Sequence, residues 1–135
     1  GIFLTRESYL VTTVLGSCVS VCLWDEANKI AAMNHYVLSY HQNQGVRVGR
    51  FGDLSLPYML REASRLGAVS FVAHMFGGAC HPALSDAVAL QNISLADEFL
   101  QKNKIPVFTR DVGGRLSRRI EFNTHSGGIK ITKGK

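Results

Sequence analysis

A nucleophile and a base can be picked out of this sequence by residue type and spacing. Cys18 follows Gly16-Ser17 at a break between two runs rich in β-branched and aromatic residues, Tyr9 to Val14 and Val19 to Trp24. A turn there can expose a thiol and leave neighbouring backbone N–H groups unpaired, ready to bind an oxyanion. A nucleophilic thiol needs a base, and the histidines are His35, His41, His74, His81 and His125. If Val19 to Trp24 and a following strand, Ile30 to Leu38, form a hairpin across Asp25 to Lys29, residues whose numbers sum to about 53 or 54 face one another. Cys18 then lies opposite His35 or one residue away. An imidazole beside a thiol favours the thiolate and draws its pKa below the roughly 8.5 of a free cysteine. Residue type alone also allows packing roles. Free cysteines are among the most buried residues, which suits Cys22 between Val21 and Leu23, and a lone histidine on an apolar strand is commonly bonded to backbone.

Other chemistries fit less well. His74, Cys80, His81 and His125 include good metal-ligand types, but they lack the paired spacing that lets one turn present two ligands, so no metal is expected. Ser17 does not sit in G-x-S-x-G, and Gly77-Gly78 is too short for a phosphate loop. The odd set Cys18, Cys22 and Cys80 argues against a disulfide framework and, with no signal-like segment, for a cytoplasmic protein. Residues 101 to 135 carry nine Lys and Arg against Asp111 and Glu121, within a net charge of +5. A solvated or partner-positioning basic face is expected rather than a nucleic-acid site, because no helix-turn-helix, RNP-like aromatic pattern or finger spacing accompanies the charge. No stretch is apolar enough to span a membrane.

The 135 residues suit a single domain over 1–135 of mixed α/β class. The two runs around Cys18 and Ile30 to Leu38 read as strands. Ser39 to Gly52 is a long polar loop of the kind that borders sites. Asp53 can cap a helix through Leu66, with Leu56, Leu60 and Ala63 on one stripe, Pro57 in the first turn and Gly67 as its stop. Ala68 to Phe76 reads as a buried strand. A second helix runs from Ser85 or Asp86 to Lys102 on the stripe Ala89, Ile93, Ala96, Leu100, with Asn103 as left-handed cap. Ile105 to Arg110, Arg118 to Thr124 and Gly128 to Thr132 complete the strands. The last two form a hairpin with Ile120, Phe122, Ile129 and Ile131 inward.

Several blocks carry a resemblance. Thr12-Thr13-Val14-Leu15-Gly16-Ser17-Cys18-Val19, Val21-Cys22-Leu23-Trp24-Asp25 and Met33-Asn34-His35-Tyr36-Val37-Leu38 resemble the CheD family of chemoreceptor glutamine deamidases. Arg50-Phe51-Gly52-Asp53, Phe76-Gly77-Gly78-Ala79, Asn92, Ile105-Pro106, Asp111-Val112-Gly113-Gly114-Arg115, Arg118 and Phe122-Asn123 follow in order. Phe51, Ser39 and Cys80-His81 depart from the usual residues. The resemblance implies a mixed β-sheet sandwich flanked by helices, an α+β fold shared with toxin-type cysteine deamidases. It implies Cys18, His35 and Thr12 as the catalytic residues, with no cofactor. Successive strand residues face opposite ways, so only one of Thr12 and Thr13 can reach the imidazole, and the family spacing favours Thr12. The implied activity is conversion of receptor glutamines, and in some members glutamyl methyl esters, to glutamate. The implied partners are the cytoplasmic helices of chemoreceptors and a CheC-type phosphatase. A non-catalytic interaction module on the same fold is the alternative.

Overall fold

A computed structural model of the chain describes residues 1–41, 49–81 and 86–134. Its elements are β1 (Ile2–Thr5), β2 (Leu10–Leu15), β3 (Val19–Asp25), β4 (Ile30–Asn34), α1 (Gly52–Arg65), β5 (Val72–Gly77), α2 (Asp86–Lys102), β6 (Val107–Val112), β7 (Ser117–Asn123) and β8 (Ile129–Gly134). They build two sheets, one ordered β1-β4-β3-β5-β6 and one ordered β2-β7-β8. Among the described residues only β5 and β6 pair as parallel strands, and α2 is the crossover that parallel neighbours require.

Strand alternation sorts the core into two layers. Val19, Val21 and Leu23 of β3, with Ile30 and Ala32 of β4, face the helices and meet Leu56, Met59, Ala96 and Leu100. Their neighbours Cys22, Trp24, Ala31 and Met33 face the small sheet and meet Leu15, Ile120 and Phe122. Both faces of β3 and β4 are covered, so these strands read as continuous apolar runs. Both helices therefore lie on one face of the large sheet, and the small sheet covers the other. Trp24 and Phe122 cross this second layer edge to face, with ring centroids 6.4 Å apart. Among the described residues no helix is long and apolar enough to cross a membrane.

The expected elements are present with shifted ends. The third strand stops at Asn34 rather than Leu38. Backbone pairing with β3 breaks there because the Asn34 side chain accepts the Val21 N–H at 2.7 Å, and one bridge, Val19 to Tyr36, resumes beyond it. Asp53 does not cap α1. The carbonyls of Leu38, Ser39 and Phe51 accept the first N–H groups of the helix, and the Asp53 carboxylate instead takes the backbone N–H and ring Nδ1 of His41. Residues 42–48 of the long loop, and Ser85 as a helix start, lie outside the described residues. β5 begins at Val72 rather than Ala68, and β6 runs Val107–Val112. After α2 it is Lys104, at φ 55, that turns left-handed, whereas Asn103 bonds back to the Phe99 carbonyl.

At the end of β5 the chain passes close to Cys18. A Cβ on Gly77, whose φ is +107, would lie 2.1 Å from the Cys18 carbonyl oxygen. Gly77→Ala is therefore expected to cost on the order of 3 kcal/mol in thermal or denaturant unfolding, since it combines a positive φ with a backbone clash. Gly16→Ala, where a Cβ meets nothing within 4 Å, should stay within about 0.5 kcal/mol of the parent. Equal unfolding free energies for the two variants would contradict this packing.

Candidate active site

Cys18 lies where the chain leaves one sheet for the other. β2 belongs to the small sheet and β3 to the large one, and Gly16-Ser17-Cys18 is the crossing. Its carbonyls are all engaged. Gly16 accepts from the Ala79 N–H at 2.9 Å, Cys18 from the Gly78 N–H at 2.9 Å, and Ser17 from the Asn92 side-chain amide at 3.4 Å. The N–H groups of Ser17 and Cys18 bond to no other described residue, and the Cys18 N–H lies against its own thiol. Bound carbonyls beside free N–H groups are the arrangement an oxyanion needs.

The hairpin brings His35 to the same face as Cys18 through a register other than the expected one. Cys22 pairs with Met33 and Val19 with Tyr36. Continuing that ladder sets Cys18 opposite Val37, with His35 one pleat away on the diagonal. Cys18 packs with the layer that holds Cys22 and Met33, so thiol and imidazole share the face turned toward the small sheet.

The threonine is a correction. Thr13, not Thr12, reaches the imidazole: its Oγ1 lies 3.0 Å from His35 Nδ1. Thr13 pairs with Ile120, whose side chain points into the core, whereas Thr12 pairs with Glu121 and is exposed. With the Nδ1–H donating to Thr13 Oγ1, the lone pair sits on Nε2, the nitrogen left for proton transfer. Thr12 and Thr13 both line a cleft of about 280 Å³, together with Phe3, Val11, Met33 and His35. Beyond His35 the surface continues past Val37 and Arg50.

Burial acts on both reacting groups in one direction, toward neutrality. It pushes the Cys18 thiol up and draws the His35 imidazole down. Neither shift favours a thiolate–imidazolium pair, and the described residues show no hydrogen bond between the thiol and the imidazole. Cys22 is buried and its thiol is pushed far up, as its packing reading requires. Cys80 lies away from His35, in a recess with Ser17, His81 and Arg115.

The remaining histidines go elsewhere. His74 Nδ1 pairs with Thr109 Oγ1, and His125 Nδ1 pairs with Ser8 Oγ. Among the described residues no three His, Cys, Asp or Glu side chains converge as a metal would need. One member of the basic segment is not on the surface. Arg118 is 4% exposed and donates to the Gly77 and Gly113 carbonyls and to Asp111. Burial would push the Asp111 carboxyl up, but Lys133 and Arg118 hold it below the usual range. Arg119 and Lys130 are exposed, as a pleated hairpin dictates.

Fold and site define a class, an α+β protein that presents a cysteine on a sheet-switching loop beside a threonine-held histidine. The chain belongs to the CheD family. Residues 38–133 match the family model described as CheD chemotactic sensory transduction. Alignments with relatives extend over the site. A probable chemoreceptor glutamine deamidase CheD of Trichlorobacter lovleyi is 37% identical over 134 residues, covering 96% of this chain and 83% of that protein. A second, from Anaeromyxobacter dehalogenans, is 38% identical over 131 residues, covering 93% and 76%. A third, from Sulfurimonas denitrificans, is 30% identical over 136 residues, covering 96% and 87%.

Alkylation by iodoacetamide, read peptide by peptide in the mass spectrometer, tests the protonation state. Labelling of Cys18 should rise with a midpoint on the alkaline side of an unburied thiol, while Cys22 stays unlabelled in the native protein. A Cys18 rate already at its plateau at pH 7 would show a thiolate–imidazolium pair instead.

Proposed function

We propose that this chain hydrolyses the side-chain carboxamide of glutamines on the cytoplasmic helices of chemoreceptors, releasing ammonia and leaving glutamate. The observation that carries the reading is the contact between Thr13 Oγ1 and His35 Nδ1, which leaves Nε2 as a base on the face that Cys18 shares. The names of these relatives, chemoreceptor glutamine deamidases, support the substrate.

The chemistry follows from the geometry. Neutral His35 takes the thiol proton on Nε2 as Cys18 Sγ attacks the carboxamide carbon, and the carbonyl oxygen becomes an oxyanion facing the free N–H groups of the Gly16-Ser17-Cys18 crossing. The carbon–nitrogen bond breaks, His35 returns the proton to the departing nitrogen, and ammonia leaves a thioester. Water then gives a proton to His35 and attacks the thioester. The sulfur departs with that proton, and glutamate is released. Thr13 orients the ring and accepts from Nδ1–H in the tautomer that makes Nε2 the base, the orienting part of the role a carboxylate has in other triads. A half-buried, neutral imidazole needs no prior deprotonation at neutral pH, which suits a base-first mechanism better than a preformed ion pair.

The same attack serves a glutamyl methyl ester, whose alkoxide leaves more readily than an amine. A CheC-type phosphatase as a further partner, a single-domain unit and action in the cytoplasm, where receptor helices lie, complete the reading.

With a receptor cytoplasmic fragment as substrate, ammonia release should accompany a gain of about 1 Da in a glutamine-containing peptide, the difference between an amide and an acid. Cys18→Ala should abolish turnover, and His35→Ala should reduce it by on the order of a hundredfold or more. Thr13→Ala should slow turnover roughly tenfold, as loss of about 1.4 kcal/mol of orienting hydrogen bond would, while Thr12→Ala stays near the parent. Because burial lowers the His35 pKa, the fall of kcat/KM on the acid side should have its midpoint below that of an ordinary imidazole. Full activity in Cys18→Ala would overturn the mechanism, and receptor binding without ammonia release would leave an interaction module.

A further inference from the structure

The α2 stripe that packs on the large sheet contains one residue of the wrong polarity. Asn92 lies between Ala89, Ile93 and Ala96, has no exposed surface, and is a poor helix former. An apolar residue would serve packing better, because a buried amide is stable only when its hydrogen-bonding groups are matched. They are matched here. Asn92 Nδ2 donates to the Val37 carbonyl at 2.8 Å and to the Ser17 carbonyl at 3.4 Å, and its Oδ1 accepts from Ser39 Oγ at 2.7 Å. Its backbone carbonyl also accepts from the Tyr36 hydroxyl.

Two of these bonds fall on the segments that carry the reacting groups. Val37 is two residues past His35, and Ser17 immediately precedes Cys18. The Ser17 carbonyl and the Cys18 N–H belong to the same trans peptide, so they point in opposite directions. Holding the carbonyl toward α2 turns the Cys18 N–H away from α2, where it bonds to no other described residue. Only an amide head offers two donors and an acceptor in one plane, and Ser39 sets which end faces the carbonyls.

We propose that Asn92 is a positioning residue that orients the Ser17–Cys18 peptide so that the Cys18 N–H stabilises the oxyanion formed when the thiol attacks a carbonyl. This rests on Cys18 being the nucleophile of the deamidase reading, and it assigns the oxyanion donor's support to α2. Two reagents separate it from a purely structural role. p-Nitrophenyl acetate transfers its acetyl group to Cys18 through a tetrahedral oxyanion: the Sγ–carbon bond forms, the carbon–aryloxy bond breaks, and p-nitrophenolate departs. Iodoacetamide alkylates the same sulfur by displacing iodide and forms no oxyanion. Both rates can be followed on the Cys18 peptide by mass spectrometry.

Asn92→Asp keeps the size and the acceptor for Ser39 but removes both donors. It should slow acetylation of Cys18 at least tenfold while alkylation stays within twofold, because the loss of one oxyanion donor is confined to the tetrahedral state. Ser39→Ala, which frees the amide to flip, should show the same signature more weakly in a protein that keeps Asn92, and it carries the test if Asn92→Asp does not fold. With a receptor fragment, kcat should fall with KM within twofold. An unchanged ratio of acetylation to alkylation, or equal losses in both, would overturn the proposal. If the parent releases no ammonia from any receptor fragment, the deamidase reading fails, and the ratio still decides the role of Asn92.

Discussion

Between β2 and β3 the chain must change sheets, and residues that change sheets cannot belong to either ladder. Gly16, Ser17 and Cys18 make that crossing, so their backbone groups need partners from elsewhere. The structure supplies them to one side only. Ala79, Asn92 and Gly78 bind the carbonyls, and the N–H groups of Ser17 and Cys18 bond to no other described residue. The reactive loop is thus held firmly while its donors stay available, which is the condition electrostatic stabilisation of a transition state requires.

The elements around the crossing serve that arrangement. Gly77 lets β5 come within backbone contact of Cys18, where a side chain would intrude, and Gly78 beside it leaves room for Ile93 of α2. Arg118 braces the same point from the small sheet, tying the Gly77 carbonyl to Gly113 and to Asp111. Lys133 of β8 also meets Asp111 at 3.0 Å, so part of the basic charge near the chain's end neutralises a carboxylate behind the site. That use of charge is structural, and it explains why a buried arginine is tolerated: each of its nitrogens has a partner.

Burial is the largest influence on both Cys18 and His35, and the Gly1 ammonium nearby opposes the rise of the thiol while adding to the fall of the imidazole. A partly buried thiol and a partly buried imidazole both resist ionisation, so each is shifted toward its neutral form, the form the proposed first step would consume. Thr13 then matters through geometry rather than charge. A hydroxyl beside Nδ1 orients the ring and can accept from Nδ1–H, but it cannot stabilise an imidazolium as a carboxylate would.

Local pattern was enough for much of this protein. The β-branched runs on either side of Gly16-Ser17, the stripe Ala89, Ile93, Ala96 and Leu100, and the inward Ile120 and Phe122 follow from periodicity and turn chemistry, which act over a few residues. The placing of Cys18 at a strand break and of His35 on the same face across a short hairpin were legible for the same reason, although the turn that pairs Asp25 with Ile30 sets a register one residue off the expected one. The third residue was not. Leu10 and Val14 on one face of β2 are as apolar as Val11 and Leu15 on the other, so the strand itself does not say whether Thr12 or Thr13 turns inward. Pairing with β7, more than a hundred residues later, decides it. The signal was present only in combination, since Thr13 lies against the inward Ile120. Asn92 was unreadable as a support because a polar residue on a helix looks solvated until its partners are known, and Ser17, Val37 and Ser39 lie 53 to 75 residues away. Hydrogen-bond satisfaction in a buried site is a property of the packed layers, and only the tertiary structure brings those groups together.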